Sequence, residues 1–116
     1  YIQNMMKQVK KLTSVGGWIS TIETSNDYAF LPSEIEVFGS AEYSFAGEGE
    51  QYQYFKNATA NRYKKPRYSS DYVSDYYWTR SPYSSDSGSF CGVGVGGGAG
   101  TYSAGYAYGI APCLCI

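Results

Sequence analysis

Apolar positions at the start of the chain recur at helical spacing. Ile2, Met5, Met6, Val9 and Leu12 fall on one side of a helix, and Lys7, Lys10 and Lys11 fall on the other. The lysines sit where a helix C-terminus favours positive charge, and Gly16-Gly17 ends the element. The period then shortens. Trp18 to Ile22 alternates weakly, as a short strand does, and Tyr28 to Leu31 reads as a buried strand. Ser33 and Glu36 stand three residues apart ahead of Val37 and Phe38, and Gly39 follows. This is a capping box with a glycine stop, and it predicts a short helix over Glu34 to Phe38.

The second half reads mostly as loops and strands. Gly47 and Gly49 mark a loop before a strand or helical turn at Tyr52 to Lys56, and "NRYKKPRYSSDY" is a basic, proline-containing loop. "DYYWTRSP" predicts a strand ending at Pro82, with Trp78 in the core. Arg80 on that strand is either an exposed charge or a buried fork tying loop carbonyls together. After the loop "YSSDSGS", Cys91, Val93 and Val95 share one strand face. Gly97 and Ala99 keep that parity and Ala104 breaks it, which places a turn near Gly100 to Ser103. Ile110 to Ile116 alternates as a final strand, in which Pro112 has no N–H to give to a ladder. The fold class expected is α+β: short helices on small antiparallel sheets with long irregular loops.

Composition narrows the function. The chain has 116 residues, which suits one domain with one core. A net charge of −1 gives no electrostatic case for nucleic acid or an anionic membrane. The apolar runs are far too short to insert into a membrane. There is no His, and Cys91, Cys113 and Cys115 alone do not make a zinc site. Buried free thiols are the favoured reading of them, and a disulfide from Cys91 to Cys113 or Cys115 stays open. No cofactor is expected. Tyr is the outlier, with 14 copies, 12 of them at or after Tyr43. A Tyr-, Ser- and Gly-rich segment is either low-complexity sequence or a recognition surface in which rigid Tyr rings supply area.

Three blocks carry a resemblance. "LPSEIEVFG", "YWTRSPYS" and "FCGVGVGGGAG…A…YGIAPCLCI" resemble a domain of unknown function from clostridial proteins and their phages, whose skeleton runs LLSEKEVFG, WWLRSP and FC-x-V-x3-G-x-A-x4-A-x4-GVAP-x-FCI. Phe90, Cys91, Val93, Gly97, Ala99, Ala104, Gly109, Ala111, Pro112, Cys115 and Ile116 fall on skeleton positions. Tyr77, Thr79, Ile110 and Leu114 depart from it. The skeleton's first strand has no counterpart here, so the chain is expected to begin partway through the domain or after other domains. The resemblance implies a C-type-lectin-like fold of the formylglycine-generating-enzyme type. It also implies kinship with the variable proteins of diversity-generating retroelements, in which template adenines are miscopied and the C-terminal half displays the altered residues.

Asn codons altered at their first two bases reach many residue types, but not Lys, Glu, Gln, Met or Trp. Residues 1–80 hold 20 of those five types, and residues 81–116 hold none. Residues 81–116 are therefore the expected variable, ligand-displaying region. Skeleton residues Val93, Ala99, Ala104 and Ile110 are expected to bury one face of it. The contact residues expected are Tyr83, Ser84, Ser85, Asp86, Gly92, Gly94, Gly96, Thr101, Tyr102, Ser103, Tyr106 and Tyr108. The partner implied is a bacterial surface protein or glycan. The implied location is a phage tail or a cell surface, with self-association or attachment to a larger assembly allowed for. A fixed-specificity adhesion domain is the alternative. An enzyme using Cys113 and Cys115 is disfavoured, because no His can serve as base. Calcium is not expected either, because Asp86 is the last acidic residue.

Overall fold

The computed structural model describes residues 7–12, 21–63 and 75–114. Its helix forms where the capping signature sits: α1 spans Glu34–Phe38. Glu36 N donates to Ser33 Oγ at 3.1 Å, and Ser33 N donates back to Glu36 Oε1 at 3.0 Å. Gly39, at φ 83°, turns the chain away, and its N–H donates to Ile35 O at 2.8 Å. Only glycine takes that left-handed conformation without cost.

The N-terminal helix reading is overturned. Lys7–Leu12 is a strand, β1, paired antiparallel along its whole length with β2, Ile22–Asp27. The register sets Lys7 opposite Asp27 and Lys11 opposite Glu23, and Val9 is buried. Helical spacing lost because a strand partner with matching charges satisfies the same backbone groups. Ile2, Met5 and Met6, and most of the strand expected at Trp18 to Ile22, lie outside the described residues. The strand expected at Tyr28 to Leu31 is the shorter β3, Ala29–Phe30, and it lies at the rim, with Tyr28 42% exposed.

A four-stranded sheet organises the rest. β4 spans Tyr77–Pro82, β5 Ser89–Val93, β6 Ala99–Ser103 and β7 Gly109–Ile110, in the spatial order β6-β5-β4-β7. The pairs are antiparallel except β4 with β7, which is parallel. The turn joining β5 to β6 lies at residues 94–98, earlier than the parity of small residues suggested. Gly97 takes φ 75°, Gly97 N donates to Gly94 O, and Gly94 N donates to Gly98 O, each at 2.9 Å. The expected final strand is divided. After β7 the chain passes Pro112, and β8, Cys113–Leu114, pairs antiparallel with β3 in a separate sheet. The whole is a small mixed α+β fold, mostly strands in small sheets.

One parity of the sheet builds the core. Tyr77 and Val93, opposite each other in register, are buried with Val37 of α1, and Phe38, Phe55 and Ala111 pack against them. Cys91 is a buried free thiol, Cys113 is half-buried, and Cys115 lies outside the described residues. Much of the remaining interior is polar. Ser33, Glu34, Glu36, Glu48, Thr79 and Ser81 are all buried. The Glu34 carboxylate accepts from the backbone N–H groups of Glu42, Tyr43 and Ser44, at 3.0, 3.0 and 2.9 Å, and from Ser44 Oγ at 2.6 Å. Of the two readings open for Arg80, the structure shows the fork. It donates to the carbonyls of Lys10 (2.9 Å), Leu31 (2.8 Å) and Glu48 (2.8 Å) and to the Glu36 carboxylate. Ser81 Oγ closes the joint on the Glu48 carboxylate. The blocks "SEIE" and "TRSP" therefore meet in one buried polar joint.

Candidate ligand-binding face

The other parity of the sheet starts with a gap. Trp78 of β4 lies opposite Gly92 of β5, and Gly92 lies opposite Gly100 of β6. Two of the three positions in that row have no side chain. Tyr102, two residues beyond Gly100, lies across them. A Cβ at Gly100 would stand 2.6 Å from the Tyr102 hydroxyl oxygen, and one at Gly92 would stand 2.9 Å from the ring. Gly94 lies under the same hydroxyl, at 3.1 Å from where its Cβ would be. Glycine in a strand interior costs about 0.5–1 kcal/mol. Here it admits a ring against bare backbone, which returns buried area.

Other rings stand around this floor. Tyr76, Trp78 and Tyr108 meet the Tyr102 ring edge-on, at centroid distances of 5.2, 6.4 and 5.3 Å and interplanar angles of 80°, 75° and 90°. Tyr108 stacks on Tyr76 at 4.8 Å and 16°, and on Tyr106 at 5.4 Å and 25°. Phe90 meets Trp78 edge-on at 6.4 Å. Offset and edge-on pairs are the favourable aromatic geometries, each contributing about 0.5–1.5 kcal/mol. Burial, then the neighbouring Tyr76, pushes the hydroxyls of Tyr102 and Tyr108 above the usual tyrosine range. The face remains open to solvent, with Tyr106 58% and Phe90 36% exposed. A groove of about 280 Å³ continues from it between Trp78, Phe90, Ala104 and Leu31.

A family model built on the domain of unknown function DUF6273 matches residues 1–116. The chain belongs to that family. No curated protein and no solved structure matches it.

Within this DUF6273 domain the expected contact residues separate. Tyr102, Tyr106 and Tyr108 come together on the face, with Gly92 and Gly94 beneath Tyr102. Gly92 is buried and supports the face from below. Thr101 is opposite Cys91 and so falls on the other parity, and Ser103 is at the exposed end of β6. Gly96 stands clear in the turn, with nothing within 4 Å of where its Cβ would be. The 83–86 loop lies apart. Tyr83 meets Tyr43 edge-on at 6.3 Å, and Ser84 N donates to Tyr43 O at 2.9 Å. Ser85 is exposed. Asp86 accepts from Gly88 N (2.9 Å) and Ser89 Oγ (2.8 Å), which hold its carboxyl below the usual range, so it shapes the turn.

Of the skeleton residues expected to bury the variable segment, Val93 is buried and Ala99 half-buried, but Ala104 is exposed and Ile110 is 55% exposed. Ala104 is in the turn that ends β6, and Ile110 stands beside Trp78 on the edge strand β7. Sequence reasoning missed Tyr76 and Phe90 and assigned Trp78 to the core. Trp78 is half-buried and part of the face. The alternation in "YYWT" already separated Tyr76 and Trp78 from buried Tyr77 and Thr79, but not which pair faced out.

A second concavity, about 560 Å³, lies on the other side, between Phe30, Tyr52, Phe55, Tyr77 and Leu114. Its cation, Lys7, is already engaged: Nζ donates to the Tyr52 hydroxyl at 2.6 Å and lies 3.6 Å from the Glu36 carboxylate. Among the described residues no three of His, Cys, Asp and Glu gather to hold a metal ion, and no helix is long and apolar enough to cross a membrane.

Proposed function

We propose that this domain is a ligand-binding module of C-type-lectin-like fold, carried on a phage tail or a cell surface, that recognises a protein or glycan on bacteria. The observation that carries this reading is the open cluster of Tyr76, Trp78, Phe90, Tyr102, Tyr106 and Tyr108 on one side of the sheet. Aromatic rings held by their neighbours offer contact area without an ordering cost on binding. The disfavoured catalytic reading rests on Cys113 and Cys115, of which Cys115 lies outside the described residues, and Cys91 adds no support to it. Its thiol is pushed far above its usual range, first by burial and then by Glu34 and Glu48, and a protonated thiol is a poor nucleophile.

The retroelement part of the proposal fits the local geometry unevenly. Gly96 and Gly98 have open space around them, so substitution there is free. Gly100 is tied to Tyr102, so it changes only together with it, and Gly92 lies against the Tyr77 backbone oxygen as well. Labelled domain incubated with a panel of bacterial cells tests the binding function. Staining of some strains, lost when Tyr102 and Tyr108 are both replaced by Ser in a domain that still folds, supports it. No staining of any strain, or equal staining by the variant, rejects it. Sequencing the gene's 3′ end across a growing population tests diversification separately. A uniform sequence without an adenine-rich template copy leaves a domain of fixed specificity.

A further inference from the structure

The rings of the face do not present themselves alike. Tyr108 is sandwiched, with Tyr76 stacked at 4.8 Å and Tyr106 at 5.4 Å. Tyr102 has one face on the glycine backbone and ring edges around it. Tyr106 is the end of the stack and is 58% exposed, so one of its faces is covered by Tyr108 and the other is open. It is held in place from the backbone, where Tyr106 N donates to Ser103 O at 3.1 Å. A flat ligand that joins this face continues the stack on Tyr106.

Charge narrows what that ligand is. Among the described residues the side chains of the face are those of Tyr76, Trp78, Phe90, Tyr102, Tyr106, Tyr108 and Ile110, and none carries charge. Arg80 reaches the adjoining groove, but its guanidinium is 11% exposed and is engaged by the Glu36 carboxylate and three carbonyls. Asp86 has both carboxylate oxygens occupied by its own turn. An anionic or cationic group brought against the rings would lose hydration with no counter-charge among the described residues to replace it. An uncharged ring with an apolar flat side and a hydroxylated rim loses little. Its C–H side meets the electron-rich Tyr106 face, and tyrosine hydroxyls, which both donate and accept, meet its rim.

We propose that the open face of Tyr106 is the stacking platform for an uncharged pyranose ring, so that the face takes a neutral glycan. This rests on the ligand-binding reading above and specifies its ligand. The test is titration of the whole domain with neutral oligosaccharides (gluco-, manno- and N-acetylglucosamine series) and, in parallel, with an anionic polyuronate. At least one neutral series is expected to bind, with an affinity that raised salt leaves unchanged. Tyr106→Ala is expected to weaken it by about tenfold or more, and Tyr106→Phe, which keeps the ring, to retain it. Near-ultraviolet circular dichroism of each variant checks that the fold survives. Binding confined to the polyuronate and abolished by salt overturns the proposal, as does neutral binding that Tyr106→Ala leaves intact. Cells stained through a protein receptor, with every glycan silent, overturn it while leaving the binding function standing. Failure of both cell staining and glycan titration removes both.

Discussion

The buried polar joint and the aromatic face share strand β4 and are built by opposite means. The joint draws Ser33, Glu34, Glu36, Glu48, Arg80 and Ser81 from distant parts of the chain and holds them with directional, charge-assisted hydrogen bonds. The face gathers its rings from residues 76–108 and holds them by ring contacts over glycine backbone. A buried polar group left without its partner is costly, so the joint tolerates little change. A ring at the surface is removed at small cost, so the face tolerates much. The difference separates the residues that keep the domain folded from those available for recognition.

The largest break expected in that comparison is at Arg80. Arg80→Met takes the guanidinium from the buried Glu36 carboxylate and from the carbonyls of Leu31 and Glu48, and unfolding in urea should show a loss of about 3–5 kcal/mol. Arg80→Lys keeps the charge without the fork and should recover only part of it. A loss under about 1 kcal/mol for Arg80→Met would mean that the joint is solvated and not structural.

Next comes alkaline pH, which acts most strongly on the interior. Burial pushes the Tyr77 hydroxyl from its ordinary value of 10.0 up to about 12, and it pushes the Cys91 thiol well above its ordinary 9.0. Both groups stay protonated in the fold at pH values where the unfolded chain ionises. Stability is therefore complete below about pH 9 and declines as pH rises, by at most about 1.4 kcal/mol per pH unit for each group. Urea midpoints measured across that range should fall, and Cys91→Ala should delay the onset to the tyrosine range. A flat profile up to the value of Tyr77 would show that these groups are not sealed from water.

What was legible in the sequence follows the same division. Ser33, Glu36 and Gly39 announce α1 within seven residues, because a cap is a local contract between backbone and side chain. Arg80 was legible only as a fork or an exposed charge, because its partners at Leu31, Glu36 and Glu48 lie far away along the chain. The strand at Lys7–Leu12 was not legible, since its apolar spacing suits a helix and only pairing with Ile22–Asp27 decides otherwise. The turn at Gly97 was displaced because small residues on both sides of it continue the strand parity. Tyr102, Tyr106 and Tyr108 were expected as contacts, but their assembly with Tyr76, Trp78 and Phe90 depends on the β4–β5–β6 register, which a single sequence does not carry.

The glycines beneath Tyr102 sharpen the comparison at intermediate cost. Gly100→Ala presses on the Tyr102 ring alone, whereas Gly92→Ala also meets the backbone oxygen of Tyr77 at 3.0 Å. Each should destabilise by about 1–3 kcal/mol. In a Tyr102→Ala background the Gly100→Ala penalty should disappear and part of the Gly92→Ala penalty should remain. Additive effects at Gly100 and Tyr102 in such a double-mutant cycle would show that the ring does not rest on that glycine.

The smallest effects belong to the turn between β5 and β6, where three neighbouring glycines answer differently. At Gly96 and Gly98 nothing lies within 4 Å of a new Cβ, and neither has a positive φ. Serine at either should change stability by no more than about 0.5 kcal/mol. Gly97 sits between them at φ 75°, and its Cβ would meet the Tyr63 ring at 2.9 Å. Gly97→Ser therefore adds a left-handed strain of about 1–2 kcal/mol to a steric one. Thermal unfolding of the three single variants would show two near the parent and one below it. If all three fell together, the turn would be part of the packed domain, and the freedom assigned to its outer positions would be lost. If Gly97→Ser alone falls, the turn offers two replaceable positions beside one that must stay glycine, at the edge of a face whose rings are otherwise locked to each other.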